Sequence, residues 1–172
     1  KYQRQPKLYV DLPSRGAFYN EEIIQDNQTT QMPVFGMNAM DEITFKTPDA
    51  LLTGEATATV VQSCLPYIKD PWKLVGYDID FILISLRIAT YGDLLPINTR
   101  CPHCSAETSS DVSLQKLLEN FADYPVKFNF QMENFTIELR PLTYRETTDF
   151  SMENFQLERA LIAIEKTDKS RD

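Results

Sequence analysis

The sequence predicts an α+β fold: a mainly helical single domain with a β-hairpin, a Cys-x-x-Cys knuckle and an extended N-terminal arm. Three stretches carry that expectation. "DIDFILISLRIATYG" (78–92) leaves little polar face, as a central buried helix requires. "KFNFQMENFTIELRP" (127–141) alternates apolar and polar residues on both sides of Glu133-Asn134, the period of a hairpin. "TRCPHCSA" (99–106) holds two of the three cysteines and the single histidine.

The elements follow in order. The first forty residues read as extended and irregular, with a short strand in "LYVDLPSRGAFY" (8–19) and a Pro-Ser-Arg-Gly turn in which Gly16 takes positive φ. "MNAMDEITF" (37–45) forms a short helix capped by Asn38. Thr47 and Pro48 sit at the N-cap and first position of the next helix, which Gly54 breaks. A further helix runs to about Leu65 and stops at Pro66. After the loop "IKDPWKLVGY", Asp78 is expected to cap the central helix and Gly92 to end it. The cysteine pair lies in a turn between two short polar stretches, and "SLQKLLENF" (113–121) is a short amphipathic helix. Thr143 and Glu146 form a capping box for a final helix over about 144–166. The organisation is therefore an arm over 1–36, a helical core over 37–100, a knuckle, short helix and hairpin over 101–142, and a C-terminal helix and tail over 143–172.

Bulk composition excludes several classes of function. The 172 residues suffice for one domain, or for one domain plus a small appendage, and ten Phe supply a core. The net charge is −8 and the pI about 4.7, with no clustered basic surface for phosphate, so nucleic acid is not an expected partner. No apolar run approaches the roughly 20 residues that span a bilayer, and no membrane association is expected. The sequence opens on Lys1 without a basic, apolar leader, and secretion is not expected. Three cysteines are an odd number and argue against a disulfide framework.

Cys101 and Cys104 carry the sharpest chemical question. As a redox dithiol, Cys-Pro-His-Cys needs a preceding strand and a long helix directly after the first thiol. "SAETSSDV" is a poor helix start, and no thioredoxin-like βαβ pattern lies upstream. As a zinc knuckle, the turn aims two thiolates at one point, but structural zinc takes four ligands. Completion can come from Cys64 with His103, from a second subunit, or from a carboxylate such as Glu107; a knuckle without metal is an equal alternative. Asp78 with Asp80 and Asp41 with Glu42 read as capping or solvated groups rather than acid/base pairs. Trp72 and Tyr77, which flank the loop before the central helix, read as an interface anchor or as core or loop packing. No Walker motif, dinucleotide fingerprint or nucleophile elbow is present, so no catalytic residue is assigned.

The order of motifs resembles a known family. "LPSRGAFY", "MNAMDEITFKTPDALLTGEA", the "SCLP" helix end, "DPWKLVGYDIDFILISLRIATYGD", "CPHC" and "FTIELRPLTYRE" follow one another as in the T4-like baseplate hub family of contractile-tailed bacteriophages, over about residues 8–146. The resemblance implies a non-enzymatic structural or assembly subunit of the virion. It would be assembled in the host cytoplasm and bound to other baseplate, spike or tape-measure proteins. It also implies that Pro13, Ser14, Arg15, Gly16, Phe18 and Tyr19 form a docking or tertiary-locking segment, and that Cys101 and Cys104 form the knuckle. Phe18 and Tyr19 are the expected anchors, Gly16 sets the turn, and Arg15 suits a carboxylate. The competing expectation is that the arm covers the chain's own core. Two other functions stay open: a chaperone of the tape-measure protein that is absent from the mature particle, and a thiol oxidoreductase using Cys101.

Overall fold

The computed structural model describes residues 4–123 and 128–168. Six α-helices and three separate two-stranded antiparallel sheets make up the described chain. The first sheet pairs β1 (Leu8–Val10) with β2 (Met32–Val34), in register Leu8 to Val34. The opening segment is thus tied down by strand pairing, which its lack of periodicity concealed. Between the strands the chain runs through successive turns and a 3-10 turn, and Ile24 bridges to Ile68.

Three short helices follow. In α1 (Ala39–Phe45) the Asn38 side chain accepts from the amides of Met40 and Asp41, while Asp41 accepts from the Asn38 amide, closing a capping box. α2 (Pro48–Leu52) starts with Pro at its first position. Thr47 stands at its N-cap, but its hydroxyl donates back to the Ile43 carbonyl and caps nothing. Gly54, at φ +79°, separates α2 from α3 (Glu55–Cys64). A Cβ there would sit 3.0 Å from the Tyr144 hydroxyl and 3.1 Å from the Trp72 ring, so both conformation and space favour glycine.

The central helix, α4 (Gly76–Tyr91), starts three residues before the position expected from Asp78 as its cap. Val75 is its N-cap, and Asp78 lies inside the first turn, fully buried. The capping role expected for Asp78 is therefore corrected. Gly92 ends the helix at φ +92°, as read from the sequence. Ile79, Ile82 and Leu86 point into the core with Val60, Val61 and Leu65 of the α3 segment. They meet Leu12, Ile24, Met32 and Val34 from the opening segment. Each such fully buried aliphatic side chain contributes about 1.5–3 kcal/mol of transfer free energy.

The second half is more open. β3 (Leu94–Arg100) and β4 (Glu107–Ser113) form a seven-residue ladder with the Cys101–Cys104 turn at its tip. The sequence reading made these two polar stretches without strand structure. Pro96 and the run Glu-Thr-Ser-Ser-Asp carry no hydrophobic alternation, because most of this hairpin is exposed on both faces. α5 (Leu114–Glu119) begins at Ser113, whose hydroxyl accepts from the Lys116 amide. β5 (Phe128–Met132) and β6 (Phe135–Leu139) flank Glu133-Asn134, as the alternation predicts. α6 (Tyr144–Asp168) closes the described chain.

Candidate functional site: an internal lock and three exposed elements

The "LPSRGAFY" segment is built around a carboxylate. Asp78 accepts the Ser14 amide at Oδ1, 3.0 Å away, and the Tyr19 hydroxyl at Oδ2, 2.5 Å away. The same hydroxyl accepts the Val75 amide at 3.1 Å, an N-terminal amide of α4 with no partner inside the helix. One tyrosine oxygen thus joins the opening segment to both the cap and the first turn of α4. Burial pushes the Tyr19 phenol well above its ordinary range, and the adjacent Asp78 charge adds to the shift. Burial also raises the Asp78 carboxyl, although the bonds from Ser14 and Tyr19 pull it back.

The six residues singled out in this segment therefore divide. Ser14 is buried and Tyr19 is committed to Asp78, so both lock the chain to itself. Gly16 takes φ +79° as expected, and Arg15 beside it is also left-handed at φ +51°. Arg15 is exposed and forms no ion pair among the described residues. Pro13 and Phe18 are half-buried. Phe18 lines a cavity with Ile23, Lys73, Val75, Arg140, Pro141 and Thr143.

Cys64 is placed apart from the knuckle. It is fully buried at the end of α3, with Asp41 at 3.7 Å and the Arg4 guanidinium at 3.4 Å from its sulfur. Arg4 also pairs with Asp41 at 3.1 Å and donates to the Gly36 carbonyl. Burial first, then the Asp41 charge, push the Cys64 thiol up to about 11. Among the described residues no group of three or more His, Cys, Asp or Glu side chains is placed to hold a metal, so Cys64 and His103 do not complete the knuckle within the chain.

The knuckle itself is well formed. The Cys101 amide donates to the Ala106 carbonyl and the Ser105 amide to the Cys101 carbonyl, both at 2.9 Å, with Ser105 at φ +57°. The neighbouring backbone amides of Cys104 and His103 hold the Cys101 thiol below its ordinary range. Cys101 is half-buried; His103 and Cys104 are exposed.

Two apolar surfaces escaped the search for chemical motifs, although the alternation that announced β5 and β6 also announces one of them. In that hairpin Phe130 pairs with Ile137 and Met132 with Phe135, so these four share one face. All four are exposed, Phe135 to 60%. The opposite face carries Asn129, Gln131, Thr136 and Glu138. On α6, Phe150, Leu157, Leu161 and Ile164 follow helical spacing along one side, and all are exposed.

The start of α6 is anchored to the core. Tyr144 stacks on Trp72 with ring centroids 5.3 Å apart, and Arg145 lies 3.7 Å over the Trp72 ring. The Tyr144 amide donates to the Leu74 carbonyl at 2.7 Å, and the Gly76 amide to that of Leu142 at 3.0 Å. Trp72 thus packs a loop against the last helix. The capping box is present: the Thr143 amide reaches Glu146 at 2.9 Å, and Arg140 holds the same carboxylate.

A small locked core that holds out an apolar hairpin, a thiol-tipped hairpin and a long helix defines a protein built to join others. The T4 bacteriophage base plate protein family model matches residues 35–168, and the chain belongs to that family. No curated protein and no solved structure matches the chain. The match takes in the core helices and all three exposed elements, with the whole of α6; it leaves "LPSRGAFY" outside. The protein is accordingly a structural protein of the phage baseplate, located in the virion tail as part of a multi-subunit assembly. No helix among the described residues is long and apolar enough to cross a membrane.

Proposed function

We propose that the chain is a non-catalytic subunit of the baseplate hub of a contractile tail, assembled in the host cytoplasm. It joins its neighbours through the C-terminal apolar surfaces. Those neighbours are other baseplate proteins, the spike or the tape-measure protein. The observation that carries this reading is the one-sided apolar hairpin. Four large side chains on one face, with polar residues on the other, form a sheet face that no described residue layers over. A sheet is stable when its apolar face is covered, and the surfaces of monomeric proteins seldom keep such patches open. The α6 stripe has the same character. Arg15, Phe18 and Pro13 offer a smaller docking edge on the opening segment, with Arg15 available to a neighbour's carboxylate.

Mass spectrometry of purified mature tails tests this reading. The chain should be present in fixed ratio to the other hub proteins. Its presence in assembly intermediates with absence from mature tails would instead mark a chaperone of the tape-measure protein. Protein disulfide exchange by the isolated chain, lost in Cys101→Ser, would mark an oxidoreductase.

A further inference from the structure

We propose that Cys101 and Cys104 form half of a tetrathiolate zinc site, and that the same two residues of a second copy of this chain form the other half. One Zn²⁺ would then join two β3–β4 tips.

The turn has the construction that such a half-site needs. It lies at the end of a seven-residue ladder, so the sulfurs are held away from the core. Its backbone is closed by two 2.9 Å bonds, between Cys101 and Ala106 and between Ser105 and Cys101. Cys101 and Cys104 supply two ligands, and no third His, Cys, Asp or Glu among the described residues joins them. Structural zinc takes four ligands in a tetrahedron, which two identical pairs related by a two-fold axis provide.

Four thiolates around one Zn²⁺ carry a net charge of about −2. Arg100, adjacent to Cys101 and opposite Glu107 across the ladder, is fixed at the tip by a 3.2 Å bond from Nε to the Ser105 carbonyl. Binding releases the protons of whichever thiols are still protonated and changes no oxidation state. This inference does not rest on the hub assignment and is read on the purified chain alone.

The experiment uses the full chain, reduced and supplied with Zn²⁺. Metal content and solution mass are measured together. We expect one zinc per two chains, a dimer that returns to monomer on chelation, and loss of both zinc and dimer in Cys101→Ser and in Cys104→Ser. His103→Ala and Cys64→Ser should keep both. Cobalt replacement should give a thiolate-to-metal charge-transfer band of four-sulfur intensity, a readout independent of how the serine variants fold. No bound zinc, one zinc per monomer, a dimer indifferent to chelation, or loss of metal in Cys64→Ser would each overturn the proposal.

Discussion

The Tyr19 hydroxyl and the Asp78 carboxylate meet at 2.5 Å across 59 residues of sequence. Tyr19→Phe deletes this contact and also the acceptor of the Val75 amide. Leaving a buried polar group unpaired costs about 1–3 kcal/mol. Denaturant unfolding should show a loss of that size, and limited proteolysis should cut first near 12–22 as the segment detaches. Asp78→Ala should cost at least as much, because it strands the Ser14 amide and the tyrosine hydroxyl together.

Two carboxylates set opposite slopes in acid. Asp78 binds its proton more readily folded than unfolded, because burial raises its carboxyl. Its contribution therefore improves as pH falls through the folded value and levels off below the unfolded one. Glu146 runs the other way: bonds from Arg140 and Thr143 lower it from 4.5 to about 2. Its contribution is present above 4.5 and is lost as pH falls toward 2. Glu146→Gln should flatten the acid-side loss of melting temperature between those two values. Thr143→Ala, which removes the N-cap hydroxyl of α6, should cost about 1 kcal/mol at neutral pH.

Much of this construction was legible in the sequence. Local signals gave Asn38, Gly92, the Thr143–Glu146 box and the β5–β6 turn, because each is read within a few consecutive residues. Long-range relationships were not legible. Asp78 looked like a cap because an acidic residue before an apolar run usually is one; its true partners lie 59 and 64 residues upstream. β3 and β4 were missed because an exposed hairpin has no apolar face to alternate. α6 was visible as a helix from its capping box, but the exposure of its apolar residues depends on what packs against them, which no local pattern carries.

The three thiols should react in a fixed order. Cys101 is favoured as thiolate by neighbouring amides, whereas Cys64 is buried and pushed up to about 11. Reduced, metal-free native protein treated with iodoacetamide at neutral pH should label at Cys101 first and leave Cys64 unmodified until the chain unfolds. Peptide mass spectrometry after timed quenching reads the order. Comparable rates at Cys64 and Cys101 would contradict the buried placement.

Gly36 stands where β2 leads past the end of α4. A Cβ at this position would lie 2.9 Å from the Ala89 carbonyl oxygen, a backbone atom that cannot turn aside. Gly36→Ala should therefore destabilise the protein by about 1–3 kcal/mol. The same substitution at Gly76, where the nearest atom is 3.9 Å away, should cost far less. Parallel urea melts of the two variants make the comparison.

Incorporation of a hairpin variant into tails tests the central claim most directly. Phe130→Ser with Phe135→Ser changes only the exposed apolar face of β5–β6, where the two side chains are 55% and 60% exposed. The purified variant should stay folded and lose no more than about 2 kcal/mol, since each of the two cross-strand pairs contributes about 0.2–1 kcal/mol. In phage carrying it, quantitative mass spectrometry of purified tails should find the chain depleted at least tenfold, the change expected when about 1.4 kcal/mol or more of docking energy is lost. Parental levels of the variant in tails would contradict docking through this face, and a variant that cannot fold would place the two phenylalanines in the core.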